Sequence, residues 1–194
     1  MQSTAKTTDG VTRFFLFLLA LGTILWLGGT VYRAIIANEF FLPTTLVFDP
    51  GINVHQERML FQLVAASTTI IVCAYLTVLV SAIVLLKRTT LTFKDNGWLL
   101  MASILFFMFV PAEIFTAWLD LHFIFDWLEA RSAYLSSGSA AYEVFRTELR
   151  KTLSHRIGAL HGLPVMAVLS YFTALAVLFI QPMRRDTSTR EEKQ

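Results

Sequence analysis

Four long stretches of this chain carry almost no charge, and that feature decides which solvent it can fold in. A bilayer's hydrocarbon core is about 30 Å thick and a helix rises about 1.5 Å per residue, so a span needs about 20 apolar residues. Residues 14–36, 59–86, 97–119 and 157–182 meet the requirement. The run 14–32 holds no charge, 59–86 holds none, 97–119 holds only Glu113, and 157–182 holds none, with His161 near its start. Strands of a membrane barrel alternate polar and apolar residues over short segments, and these runs do not. Only 15% of the residues are charged, against roughly 25% in soluble domains. The expectation is an all-α integral membrane bundle of four transmembrane helices, with an extra amphipathic outer helix, forming one domain over residues 1–194. The first run exceeds the ~7–15 residues of a signal-peptide core and reads as a retained helix.

Basic residues set the orientation. Lys6 and Arg13 precede the first span, Lys87, Arg88 and Lys94 lie between the second and third, and Arg184, Arg185, Arg190 and Lys193 follow the fourth. The loops 37–58 and 120–156 are longer and less densely basic. Both termini are therefore expected in the cytoplasm, in a bacterial cytoplasmic (inner) membrane, and these two loops outside. The net charge of +2 gives no reason to expect a nucleic-acid partner. The single cysteine, Cys73, excludes an intramolecular disulfide and C-x-x-C chemistry, and reads as a small buried apolar residue.

The first outer loop carries Phe40-Phe41-Leu42, expected at the membrane interface, and then a β-branched run ended by Asp49-Pro50-Gly51, an extended segment and turn. In the second, Trp118, Phe123, Phe125 and Trp127 interleave with Asp120, His122, Asp126 and Glu129, as in an interfacial extension of the third helix. After Ser136–Ser139, Ala141, Phe145, Leu149 and Leu153 recur every four residues, the mark of an amphipathic helix. It is expected to lie on the membrane or to run straight into span four. Gly22 and Gly29 on one helix, and Gly158 and Gly162 on another, are expected to form close helix seams. Pro111 and Pro164 are expected to kink their helices.

Counting along the helices places Arg33, Glu113 and His161 near one outer layer, roughly 24–29 Å from the inner boundary. A charge that deep faces the bundle and finds a partner. Arg33, Glu113 and Arg156 are accordingly read as a structural polar layer, with Glu113 paired to Arg33, Arg156 or His161. All four histidines belong to the outer side: His55, His122, His155 and His161. Imidazoles from two helices can supply axial haem ligands, with His161 and His122 the best-placed pair and His155 and His55 the alternates. At most one outer haem fits, and no tight metal-binding spacing is present. Haem b is a candidate cofactor but is not expected.

Trp26-Leu27-Gly28-Gly29 in the first span and Leu160-His161-Gly162 opening the last resemble a family of small four-helix bacterial membrane proteins related to transmembrane protein 205. The resemblance implies the four-helix architecture and no particular reaction. The reading that follows is a membrane protein with no catalytic role. It would be a small subunit or scaffold in the lipid bilayer, docking a membrane-protein partner or further copies of itself through its helices and outer loops. The alternative is a redox subunit holding one b-type haem or metal at the outer face.

Overall fold

The computed structural model describes residues 9–43, 45, 47–89, 91–159 and 162–181. The fold is all-α, as expected. The helices are α1 (Gly10–Asn38), α2 (Val54–Arg88), α3 (Gly97–Phe107), α4 (Val110–Ser137), α5 (Ser139–Gly158) and α6 (Leu163–Ile180). Among the described residues, four helical stretches are long and apolar enough to cross a membrane: Gly10–Asn38, Val54–Arg88, Gly97–Leu135 and Leu163–Ile180. The third comprises α3 and α4, interrupted at Met108 and Phe109. Pro111 explains the break. It cannot donate to the carbonyl of Phe107, and its ring crowds that carbonyl. Pro164 acts differently from expectation. It lies in the first turn of α6, where the missing N–H would have had no helical partner, so it starts a helix rather than kinking one.

The helices divide into two compact units, Met1–Arg88 with Ala117–Ile157, and Thr89–Thr116 with Gly158–Gln194. In the second unit α3 packs on α6. Ser170 Oγ donates to the Leu105 carbonyl at 2.9 Å, and Tyr171 lies between Phe106 and Phe109, at ring distances of 5.8 and 6.2 Å.

In the first unit α1 and α2 run antiparallel, with Trp26 on Tyr75 at 5.0 Å. The contact is close because α1 presents glycine. A Cβ at Gly22 would lie 2.9 Å from Val78 Cγ2 and 3.3 Å from the Ala74 carbonyl oxygen, and one at Gly29 would lie 2.8 Å from Ile71 Cγ1. The first expected seam is therefore present. Among the described residues the second is not seen, since a Cβ at Gly158 or Gly162 meets none of their atoms within 4 Å. Gly22→Leu should force the seam apart and cost about 1–3 kcal/mol, read as a lower unfolding temperature in detergent. Gly28→Ala, whose Cβ enters open space, should change little. Cys73 is exposed rather than buried, because the α2 face that meets α1 is the one carrying Thr68, Ile71, Tyr75 and Val78.

The first unit also holds a folded headpiece. The chain leaves α1 and doubles back through a small antiparallel bridge, Phe41 to Phe48. Leu42 N donates to the Val47 carbonyl and Asp49 N to the Phe40 carbonyl, both at 2.9 Å. Asp49 Oδ1 then accepts from Gly51 N at 2.7 Å, turning the chain toward α2. This hairpin buries Phe40 and Phe41, which were expected at the membrane interface. Phe40 packs on Phe61 at 4.6 Å. Phe123, Trp127 and Ala130 of α4, and Tyr142, Leu149 and Leu153 of α5, complete the same core. Gly138, at φ +80, ends α4 in a left-handed conformation that favours glycine, and α5 then folds back onto the core. The amphipathic helix thus packs on protein, neither lying free on a membrane nor continuing into α6.

Candidate functional site

The headpiece concentrates the buried charge of the described residues in two places, and each has the same plan: one carboxylate held by two guanidiniums. Glu57, in the first turn of α2, is 1% exposed. Arg150 Nε donates to its Oε1 at 2.5 Å. Arg146 Nε donates to Oε2 at 2.5 Å, and Arg150 Nη2 reaches the same oxygen at 3.0 Å. The two arginines are four residues apart and share one face of α5, the face that Leu149 and Leu153 bury. Arg146 also donates to Glu143, at 3.2 Å. Burial alone would lower the Arg146 guanidinium, but its hydrogen bonds to Glu57 and Glu143 outweigh that and raise it.

Asp120, on α4, is 5% exposed. Arg156 Nε of α5 donates to its Oδ1 at 2.7 Å, and Arg33 Nη1 of α1 donates to Oδ2 at 2.7 Å. Arg33 also reaches Thr68 Oγ1 of α2 at 3.4 Å. This node therefore ties four helices together. A third polar link, Thr152 Oγ1 to Asp126 Oδ2 at 2.8 Å, joins α5 to α4 between the two nodes. Around them Arg58 stacks 4.1 Å over the Tyr134 ring, and Arg150 lies 5.1 Å over Phe48.

Tyr142 adds a test of this environment. Its side chain is fully buried, and its hydroxyl has no hydrogen-bond partner among the described residues. Burial, followed by the neighbouring Glu57 carboxylate, pushes the phenol above its ordinary range. A raised value means that the folded state resists ionising this group. Stability is therefore unaffected below the ordinary phenol value, near ~10, and falls as pH rises past it. Tyr142→Phe should remove that alkaline loss. At neutral pH it should leave stability unchanged or raise it by up to about 1 kcal/mol, because a buried hydroxyl without a partner is removed. Thermal unfolding of both proteins across the alkaline range would show it.

The sequence-based candidates fall out as follows. Arg33 and Arg156 come together, and the carboxylate they share is Asp120. Glu113 lies half-buried in the first turn of α4. His122 is exposed, its Nδ1 lies 3.0 Å from the Trp118 carbonyl oxygen one turn earlier, and its ring sits tilted against Trp118 at 4.3 Å. His55 and His155 are exposed. His161 lies outside the described residues. Among the described residues, no group of three His, Cys, Asp or Glu side chains is placed to hold a metal ion. Glu57, Arg146 and Arg150 were not singled out from sequence. The available signal was the pair of arginines one turn apart on the apolar side of a helix that otherwise alternates in charge. No protein-family model, curated protein or solved structure matches this chain.

Proposed function

We propose that this integral membrane protein is a non-catalytic small subunit or scaffold that docks partners through its helices and headpiece. We place it in a bacterial cytoplasmic membrane with both termini inside. One observation carries the reading. Both oxygens of each buried headpiece carboxylate accept hydrogen bonds from arginines of the same chain. A general acid or base must reach a substrate proton. These carboxylates are directed at their own fold, and they fix α5 to α1, α2 and α4. The result is a rigid surface suited to presenting contacts.

Purification in mild detergent with an absorption spectrum and metal analysis tests the reading. The expected sample is colourless and metal-free, and it elutes in an assembly larger than one chain. A Soret band that His161→Ala abolishes would replace this reading with the single-haem one. For orientation, reporter fusions after Lys94 and after Gln194 are expected to report cytoplasm, and one at Gly138 the opposite side. A cytoplasmic signal at Gly138 would overturn the arrangement.

A further inference from the structure

The face of α4 opposite the headpiece core is apolar too. Trp118, Leu121, Phe125, Leu128 and Leu135 lie on this face and are all exposed, Phe125 to 62% and Leu135 to 74%. Including Ser132, these positions step by 3, 4, 3, 4 and 3 residues. That is a narrow seam with a period of 3.5, the repeat of a helix that packs along another helix. Lipid requires no such register. The outward face of α1, by contrast, is broad, with Phe14, Leu16, Phe17, Leu21, Ile24 and Leu25 all exposed.

The borders of the α4 seam argue against lipid as its cover. His122, Glu129 and Arg131 flank it and are exposed, and charged side chains are costly in hydrocarbon. The stretch from Leu121 to Leu135 is therefore bordered by water. Aromatic side chains bury 150–250 Å² each, so the five exposed apolar residues offer roughly 600 Å². A standard interface takes about 800 Å² from each partner.

We propose that a second copy of this chain covers the seam, with α4 packed parallel against α4 about a two-fold axis along the membrane normal. The proposal rests on the docking-scaffold reading and names its partner. Copies inserted in one orientation can pair their α4 helices only in parallel, and a parallel two-fold places each seam residue against itself. The seam suits that pairing. Leucine fills each of Leu121, Leu128 and Leu135, one of the two alternating sets, as two-stranded parallel seams favour. Trp118, Phe125 and Ser132 form the other set, bulky at two levels and small and polar at the third, which fixes the register. With roughly 600 Å² from each copy, the pair reaches the ~1,200 Å² lower bound of stable interfaces.

The test uses Phe125→Cys in a Cys73→Ala background, oxidised in native membranes, together with the mass of the wild-type protein in mild detergent. A disulfide-linked dimer through position 125 is expected, with none through Cys73 in the wild type, and the wild-type mass should be that of two chains. Phe125→Glu should halve the mass while the chain stays folded, because the side chain contributes little to its own chain's core. A one-chain mass with no dimer through position 125 would overturn the proposal. So would a position-125 crosslink only to a different protein, but that result would leave the docking-scaffold reading standing. A haem or metal in the purified sample would instead remove the scaffold reading itself.

Discussion

Asp120→Ala is expected to destabilise the first unit by about 3–5 kcal/mol, the largest single effect in the molecule. The substitution removes the carboxylate that Arg33 and Arg156 share, and their side chains are only 14% and 15% exposed. Breaking a buried pair from one side costs far more than the pair contributes, because the remaining charges stay buried and unpaired. Here two guanidiniums are left, at the junction of α1, α2, α4 and α5. Loss of the unfolding transition in detergent, or a fall of many degrees in its midpoint, is the expected result. Asp120→Glu should recover part of the loss. A near-wild-type midpoint for Asp120→Ala would mean that both arginines escape to water, and that the node does not hold the helices together.

Glu57→Ala is expected to cost about 3 kcal/mol and to act more locally. Arg146 and Arg150 retain some solvent, at 23% and 30% side-chain exposure, and Arg146 keeps Glu143, so the residual charges are less costly than at Asp120. The main consequence should be release of α5 from the N-terminal turn of α2. A companion variant separates a structural lock from a chemical role. Glu57→Leu combined with Arg146→Met and Arg150→Met replaces the whole charged group with apolar side chains of similar volume. Such replacements are often neutral or stabilising. The triple variant should therefore recover most of the stability that Glu57→Ala loses, and it should still assemble.

The membrane helices were legible because charge-free runs of sufficient length have few alternatives. The Asp49-Pro50-Gly51 turn was legible from local chemistry, since an Asp side chain bonds its own backbone two residues on. The amphipathic pattern of α5 was legible: Leu149 and Leu153 are buried and Phe145 packs against the same core. Tyr142, buried there too, falls outside the every-fourth-residue pattern, because a step of four residues overshoots the helical repeat by about 40° each time. Phe40 and Phe41 were read as interfacial because nothing local reveals that the hairpin folds them onto Phe61. The polar layer was half legible. Counting along the helices put Arg33, Glu113 and His161 at one depth, and Arg156 was read into the same layer, but the carboxylate that Arg33 and Arg156 share is Asp120, two turns beyond Glu113. Glu57 was missed for a related reason: its partners lie 89 and 93 residues away, and pairing over that distance is set by tertiary packing.

Hydrogen exchange along α5 shows whether the headpiece is locked. If α5 is an integral part of a locked headpiece, the amides from Tyr142 to Leu153 should exchange slowly, at rates comparable to the N-terminal turns of α2, in detergent and in nanodiscs alike. Glu57→Ala should speed exchange in α5 by orders of magnitude while leaving the α1–α2 seam around Gly22 and Val78 protected. Amides of α5 in the wild-type protein that exchange as fast as those of an isolated surface helix would contradict the account.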